Sequence, residues 1–261
     1  MSDTPEAARA EGLAAPHAFY GRAGGVSAGP YARLNCSLSS RDDPDAVRRN
    51  RALAAAGIGA APDRLLGLTQ VHGTRVVSVT APWAVGAGPQ ADALVTDRPG
   101  LALGIVTADC APILFADMRA GVVGAAHAGW RGAVAGIIEA TLEAMAALGA
   151  DPGAVVAAIG PCIGQASYEV GADLRDAVLA RGTADARFFA PGRLAEDGPR
   201  WHFDLSGYCA ARLAAAGVGQ VAVIGADTMA EEARYFSHRR RTLAGGGVIG
   251  HQLSAIRLPD A

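Results

Sequence analysis

Three residues in this sequence have side chains that together could bind a transition metal: His72, Cys110 and His127. Cys110 ends the segment Thr-Ala-Asp-Cys, in which an aspartate interrupts a long apolar stretch, and burying such a charge costs free energy unless it has a partner. His127 opens the polar segment His-Ala-Gly-Trp-Arg-Gly after another apolar stretch. Zinc accepts thiolate and imidazole ligands readily, and three protein ligands leave a fourth position for water, as in catalytic zinc sites.

The spacing between Cys110 and His127 places them opposite each other if the intervening residues form a β-hairpin. With Met118 and Arg119 at the tip, residues whose numbers sum to 237 are paired, and Cys110 then faces His127. Directly opposed side chains start about 4.5–5.5 Å apart at their Cβ atoms, which suits two ligands of one ion. A wider turn would change this register. His72 is the natural third ligand, because it lies in the glycine-flanked loop Gln-Val-His-Gly-Thr, where a polar ring is unlikely to be part of the core.

The same residues allow other interpretations, which the residues alone leave open. A lone cysteine in an apolar stretch commonly packs as a small hydrophobic residue. Cys110 and His127 also suit a cysteine hydrolase, with Cys110 as nucleophile, His127 as base, and Asp109 or another carboxylate orienting the imidazole. A multicopper oxidase needs many imidazoles, and the six histidines here are dispersed. The chain could also be a metal-stabilised binding module without catalytic activity.

The elements that must position these side chains follow from the hydrophobic pattern. Asp43 and Pro44 predict the start of a helix that ends at Gly57. Apolar residues recur every three or four positions from Val134 to Leu148, which predicts an amphipathic helix. The pattern further predicts helices over 171–181 and from Asp204 to Gly217, and strands near 64–68, 75–79, 101–107, 111–116, 121–127, 154–159, 220–225 and 248–257.

Strands and helices follow one another without the strict alternation of a doubly wound sheet, which favours an α+β fold with mixed sheets. We expect a flexible tail over residues 1–16 and one domain over residues 17–261, because no linker or break in composition divides the rest.

The composition excludes several classes of protein. The 261 residues are 51% hydrophobic, enough for a sizeable core, and the formal net charge of −2 gives no basis for binding nucleic acid or an anionic membrane. All 23 cationic side chains are arginines, so lysine nucleophiles and Schiff bases are excluded. The four cysteines are widely spaced, and the start of the chain lacks the pattern of a signal peptide. We therefore expect a soluble cytoplasmic protein without a disulfide framework.

With these motifs the chain resembles the YfiH/DUF152 family. Its proteins are often labelled polyphenol oxidase laccase-domain proteins, and they include purine nucleoside phosphorylases, the human protein FAMIN and a peptidoglycan editing factor. The matching segments run from about residue 17 to 257, in the family's order: GRAGGVSAGPY (21–31), TQVHGTRVV (69–77), ADALVT (91–96), TADCAPILFAD (107–117), HAGWRG (127–132), IGPCIGQASYEVG (159–171), DL before a helix (204–216) and YFSHRR (235–240).

This resemblance implies zinc bound by His72, Cys110 and His127, with copper as the alternative that the laccase label suggests. It implies phosphorolysis of adenosine, inosine and methylthioadenosine, with purine nucleosides and phosphate as partners, and hydrolytic deamination of adenosine. It also implies a single compact α/β sandwich with mixed sheets, the CNF1/YfiH-like fold. Amide hydrolysis of cell-wall precursors is the activity that the editing factor suggests instead.

The chemistry assigns candidate roles to residues near the ligands. Deamination would need a water whose pKa zinc lowers, and phosphorolysis would need an acid near the purine and cations around phosphate. The candidate catalytic residues are Cys110, Asp109 and Arg131. Asp109 would serve as the acid or base, or else as the group that orients a ligand histidine. Arg131 would bind phosphate, or else form a salt bridge. Further candidates for substrate contact are Arg22 beside the Gly24-Gly25 turn, Gln70 and Tyr168.

Three positions depart from the family's pattern. His238 stands where tyrosine is common, His251 stands where arginine is common, and Asp227 precedes Thr228 where cysteine is common. These departures lie in the C-terminal segment and leave the three ligands untouched.

Overall fold

Two β-sheets lie face to face in the computed structural model of this chain, which describes residues 5–260. The strands are β1 (Ala7–Ala8), β2 (His17–Tyr20), β3 (Leu65–Leu66), β4 (Val76–Ser78), β5 (Ala93–Thr96), β6 (Ala102–Thr107), β7 (Ala111–Asp117), β8 (Val122–Ala128), β9 (Val156–Ile159), β10 (Glu169–Val170), β11 (Phe189–Ala195), β12 (Gly198–Phe203), β13 (Gln220–Val223) and β14 (Gln252–Arg257). The α-helices are α1 (Pro44–Gly57), α2 (Trp130–Ala135), α3 (Ile137–Ala147), α4 (Ala172–Arg181), α5 (Leu205–Ala215) and α6 (His238–Leu243).

The order of the strands makes both large sheets mixed. The first sheet runs β1-β2-β14-β6-β3 and the second runs β13-β9-β7-β8-β5-β4, while β10-β12-β11 form a small third sheet. Most neighbours are antiparallel, but β3 pairs parallel with β6, β4 with β5 and β13 with β9. The expected α+β sandwich with mixed sheets is confirmed. Within residues 5–260, no helix has both the length and the apolar character needed to cross a membrane.

Alternating side chains along β7 show how the layers pack, since successive residues of a strand point to opposite faces. Leu114 belongs to the core between the two large sheets, together with Leu103 of the first sheet. Ile113 and Phe115 belong to the core that the second sheet forms with α3 and α5. Helix α1 covers the outer face of the first sheet. It begins where Asp43 accepts the backbone N–H of the residue two positions later, as the sequence predicts.

The hairpin of β7 and β8 differs in register from the predicted one. Pro112 pairs with His127, so paired numbers sum to 239. The turn contains four residues instead of two, because Asp117 accepts two N–H groups of the turn at 3.0 Å each and Gly121 adopts a φ of 67°. The predicted pairing of Cys110 with His127 was therefore wrong. A slip of two residues nevertheless keeps both side chains on one face of the sheet, as diagonal neighbours.

Two other predictions need correction. The helix predicted from Val134 to Leu148 is broken, because Gly136, with a φ of 109°, separates α2 from α3. The stretch 5–16, expected to be part of a flexible tail, is packed: β1 pairs with β2, and three apolar residues are buried, Ala10, Leu13 and Ala15. The remainder of the predicted tail, residues 1–4, lies outside the described residues.

Candidate metal centre

His72, Cys110 and His127 converge on one point. One ligand atom from each, a sulfur or an imidazole nitrogen, lies within 4.8 Å of the other two, and the two imidazole centroids are 4.7 Å apart. His72 lies between β3 and β4 and Cys110 between β6 and β7, so both lie where the chain crosses from the first sheet to the second. His127 lies near the end of β8. The structure thus brings together the three residues that the sequence predicted as ligands.

The space among these residues fits a metal ion. Tetrahedral zinc, with metal–ligand distances of about 2.0–2.3 Å, spaces its ligand atoms by about 3.3–3.6 Å, which small side-chain adjustments would reach. Gly129 borders this space: a Cβ there would lie 2.7 Å from Nδ1 of His72 and 3.1 Å from Sγ of Cys110. Glycine therefore keeps the space open, and the donor set of one sulfur and two nitrogens suits zinc.

A buried carboxylate that sequence reasoning missed, Asp92, ties the ligands to the fold. Its Oδ1 accepts a hydrogen bond from Nδ1 of His127 at 2.8 Å, which leaves Nε2 of His127 for a metal. The same carboxylate accepts the backbone N–H groups of His72 at 2.9 Å and Gly73 at 2.7 Å. These bonds hold a loop in which His72 has a φ of 60°, uncommon for a residue other than glycine. One carboxylate therefore orients one candidate ligand and fixes the backbone of another.

Electrostatics favours the charged forms of these groups. Burial opposes ionisation of Asp92, but the hydrogen bonds from His127 and Gly73 hold its pKa below the usual range. Burial raises the pKa of the Cys110 thiol, but the neighbouring imidazoles of His127 and His72 more than reverse this and lower it to about 6. Burial lowers the pKa of His127, but the charge of Cys110 and the bond to Asp92 outweigh it and raise it to about 9. The metal-free cluster thus favours the thiolate, the form that binds metals.

The cluster opens into a cavity of about 840 Å³, within the range of small-molecule sites. Its described lining contains three arginines and one carboxylate, namely Arg51, Arg131, Arg239 and Asp109. Fixed positive charge therefore exceeds carboxylate charge in this wall, which favours an anionic ligand.

Asp109 lies in the cavity wall beside Cys110. Its Oδ1 accepts the hydroxyl of Thr228 at 2.7 Å, and its Oδ2 accepts the backbone N–H of Arg239 at 2.6 Å. Both oxygens are thus engaged away from the ligand histidines, and the orienting role considered for Asp109 falls to Asp92. Its role as acid or base stays a prediction.

The other candidates differ in how they reach the cavity. Arg131 lines it and lies over the ring of Trp130, 4.5 Å from the centroid, while no carboxylate in residues 5–260 forms an ion pair with it. Tyr168 lines it too, and burial raises the pKa of its phenol. Gln70 lines it, but its amide pairs with backbone N–H and C=O groups of the first sheet, at 3.0 and 2.8 Å. Arg22 does not line the cavity, because its guanidinium donates to backbone carbonyls elsewhere.

The C-terminal segment contributes to the same wall. His238 and His251 line the cavity, and Nδ1 of His251 is buried without a hydrogen-bond partner among the described residues. Burial and the neighbouring His238 lower the pKa of His251 to about 4, so its imidazole is neutral near pH 7. Thr228 contributes indirectly, because its hydroxyl donates a hydrogen bond to Asp109 in the cavity wall. The segment therefore shapes the site, although two of these residues depart from the family's pattern.

Comparison with known proteins extends this picture to the whole chain. A family profile described as multi-copper polyphenol oxidoreductase laccase matches residues 16–259. A purine nucleoside phosphorylase from Deinococcus radiodurans is 46% identical over 253 residues, which cover 96% of this chain and 92% of that protein. The crystal structure of a DUF152 protein from Neisseria meningitidis aligns with a TM-score of 0.82 and 33% identity, over 98% of this chain and 99% of that one. The structure of the hypothetical protein YfiH from Bacillus licheniformis aligns with a TM-score of 0.84 and 30% identity, over 93% and 92%.

Proposed function

The chain belongs to the YfiH/DUF152 family, whose matching profile is described as multi-copper polyphenol oxidoreductase laccase, and we propose that it is a zinc-dependent purine nucleoside phosphorylase. The name of its Deinococcus radiodurans relative supports this proposal. The observation that carries it is the convergence of His72, Cys110 and His127 at the wall of a cavity with excess positive charge. The substrates would be adenosine, inosine and methylthioadenosine with inorganic phosphate, and the protein would also deaminate adenosine.

His72, Cys110 and His127 would hold one zinc ion, and zinc supplies Lewis-acid polarisation and water activation when bound. Asp92 would keep His127 in the tautomer that presents Nε2, because its carboxylate accepts the Nδ1 hydrogen. Gly129 would keep the space beside Cys110 free of side-chain atoms.

Phosphorolysis exchanges one bond at the ribose for another. An oxygen of hydrogen phosphate bonds to C1′ as the bond between C1′ and the purine nitrogen breaks, and the electron pair of that bond goes to the purine. The purine takes the proton that phosphate releases, so the products are ribose 1-phosphate and free purine. Asp109 is the candidate carrier of that proton, because its carboxylate lines the cavity beside Cys110. Trp130 and Tyr168 offer aromatic surfaces against which a purine could pack.

Product identification with zinc-loaded protein, adenosine and phosphate tests this function. We expect phosphate-dependent release of adenine and ribose 1-phosphate, together with inosine and ammonia from deamination. Cys110→Ala should lose both zinc and activity, because it removes one ligand. Cys209→Ala, a matched change in the core around α5, should keep both. Intact adenosine after incubation with fully zinc-loaded protein, or full activity of Cys110→Ala, would contradict the proposal.

A second function is favoured by one contact, the hydrogen bond between His127 and Asp92. Cys110, His127 and Asp92 correspond to the nucleophile, base and orienting carboxylate of a cysteine hydrolase, with Asp92 in the place that the sequence suggested for Asp109. His72 supports zinc instead, because such a hydrolase needs no second imidazole at its thiolate. Chelation separates the two, since a cysteine hydrolase would stay active without metal and would be inactivated by a thiol alkylator.

A polyphenol oxidase has less support from the ligands. Within residues 5–260, His72, Cys110 and His127 form the one cluster of three or more His, Cys, Asp or Glu ligands. Multicopper oxidation needs several ions and therefore more ligands than this cluster provides. Metal analysis of the purified protein distinguishes zinc from copper at this centre.

A further inference from the structure

Arg51 is a buried cation in the wall of the cavity. It comes from α1 and is 6% exposed. Its Nη1 donates to the carbonyl of Cys36 at 3.3 Å, and its Nη2 donates to the carbonyl of Leu65 at 3.2 Å. A guanidinium has five N–H donors, so these two bonds leave further donors for a ligand.

No carboxylate of residues 5–260 forms an ion pair with Arg51. The ion pairs formed within residues 5–260 all involve other arginines or a histidine. Two carbonyl dipoles offset only part of the cost of burying a cation, and buried charges in proteins are normally paired. The burial of Arg51 without a counter-ion therefore points to an anion that comes from outside the chain.

The surroundings of Arg51 suit an oxyanion. Gly67 leaves space beside the guanidinium, since a Cβ at that position would lie 3.3 Å from Nη2 of Arg51. Ser37 and Ser39 line the same cavity, with their hydroxyl oxygens 3.2 Å apart, and a hydroxyl can donate to a phosphate oxygen. The carboxylate of the described lining, Asp109, already accepts two hydrogen bonds from the protein.

The other two arginines of the lining are less suited to hold an anion. Arg131 is exposed and lies over the ring of Trp130. Arg239 is half-buried and donates to the carbonyl of Glu169 at 2.5 Å. Water screens charges at exposed positions, so an ion pair there contributes little. Arg51 is the cation of this wall whose position is both desolvated and held by the fold.

We propose that Arg51 binds the inorganic phosphate that the reaction consumes, an inference that rests on the proposed function. The planar guanidinium donates two parallel hydrogen bonds to a phosphate, a geometry that an ammonium group lacks. Nucleosides are neutral, so phosphate is the substrate that benefits from a buried cation. Arg51 and the three metal ligands line one cavity, which allows both substrates to be bound together.

Calorimetric titration of inorganic phosphate into the zinc-loaded protein tests this assignment without relying on turnover. The wild type should show saturable binding, and Arg51→Gln should weaken it by about ten- to a hundredfold, the loss expected for hydrogen bonds to a charged group. Arg51→Lys keeps the charge but not the paired donors, so its affinity should fall between the two. Arg257→Gln is the control, because Arg257 also donates to backbone carbonyls but does not line the cavity, and it should leave phosphate affinity unchanged.

Steady-state kinetics gives a second readout, in which Arg51→Gln should raise KM for phosphate by about tenfold or more and change KM for adenosine little. If Arg51→Gln does not fold, Arg51→Lys carries the same test.

Absence of phosphate binding by the wild type, or wild-type affinity in the Arg51 variants that fold, would overturn the assignment. Arg51-dependent binding of adenosine 5′-monophosphate without binding of phosphate would overturn it too, because the anchored group would belong to a nucleotide. Arg51-dependent phosphate binding in a protein that cleaves no nucleoside would uphold the site and remove the proposed function.

Discussion

Asp92 supports two of the proposed metal ligands at once, because its carboxylate binds the imidazole of His127 and the backbone of the His72 loop. Replacing Asp92 would therefore disturb both proposed ligands, whereas replacing either ligand would remove a single bond to the metal. The sequence contained a cue for it, a charge next to the apolar run Ala-Leu-Val-Thr, which is the same cue that drew attention to Asp109.

Replacing Asp92 by Asn should lower zinc affinity about 10–100-fold, the usual effect of removing a group that orients a ligand. An amide has one acceptor oxygen, whereas the bonds from His127, His72 and Gly73 use both oxygens of the carboxylate. Competition with a chromogenic chelator measures the affinity. Asp97→Asn, which alters a partly exposed carboxylate paired with Arg98, should bind zinc like the wild type. Equal affinities for all three proteins would contradict this role of Asp92.

In the metal-free protein, Cys110 should react with iodoacetamide at lower pH than an ordinary thiol. Its pKa is lowered to about 6 against the effect of burial, so the thiolate and the alkylation rate should rise as pH increases through that value. Burial raises the pKa of the three other thiols, which should stay unmodified in the native protein: Cys36, Cys162 and Cys209. Mass spectrometry after timed alkylation measures the rates, and zinc should protect Cys110. A midpoint at about pH 8.5, the ordinary thiol value, would contradict this prediction.

Polar groups at the ends of apolar stretches are the signal by which Cys110 and His127 were chosen as candidate ligands. His72 was chosen because it lies in a glycine-flanked loop, where a polar ring is unlikely to be part of the core. Arg51 gave no such signal, because it lies in an ordinary surface-like helix and becomes a buried cation only when α1 packs on the first sheet. Arg22 shows the reverse case: its glycine-rich turn suggested an anion site, but folding directs its guanidinium to backbone carbonyls.

At the level of elements, the register of the β7–β8 hairpin decides how Cys110 and His127 lie relative to each other. The sequence predicted the β7–β8 hairpin but not its register, since a shift by two residues leaves every side chain on its original face. The turn geometry set by Asp117 decides between these registers. Cys110 and His127 come together despite the error for the same reason, because both stay on one face of the sheet.

Gly129→Ala should lower zinc affinity about tenfold or more, because overpacking a fixed site costs roughly 1–3 kcal/mol. The backbone of Gly129, with φ −68° and ψ 161°, tolerates any residue, so the effect comes from the methyl group placed 2.7 Å from Nδ1 of His72. Zinc titration measures the effect, with urea unfolding of the metal-free protein as a check on the fold. Gly182→Ala, whose new Cβ meets its nearest atom at 3.8 Å, should bind zinc normally. Wild-type affinity in Gly129→Ala would show that the methyl group does not enter the metal space.

Across the whole molecule, the proposed metal centre lies where the two large sheets are joined. The segments that carry His72 and Cys110 both cross from the first sheet to the second, and His127 belongs to the second sheet itself. A bound ion would therefore connect segments that are far apart in sequence. The fold class was predictable from the order of elements, but the pairing of β14 with β2 and β6 was not, because no local pattern encodes contacts over such distances.

Removal of zinc should therefore lower the melting temperature of the whole domain. A ligand at a thousandfold its Kd stabilises the folded state by about 4 kcal/mol. For a domain of this size that corresponds to roughly 10 °C. Differential scanning calorimetry with and without a chelator measures the shift, and Cys110→Ala, which lacks the site, should show none. An unchanged melting temperature in the wild type would mean that no ion binds selectively to the folded protein.

Anomalous diffraction from crystals of the zinc-loaded protein, recorded on both sides of the zinc absorption edge, tests the central claim most directly. The account predicts one zinc peak per chain, at about 2.3 Å from Sγ of Cys110 and about 2.0–2.1 Å from a nitrogen of each of His72 and His127, with no fourth protein ligand. A peak bound elsewhere, or no zinc peak within bonding distance of these three atoms, would contradict it.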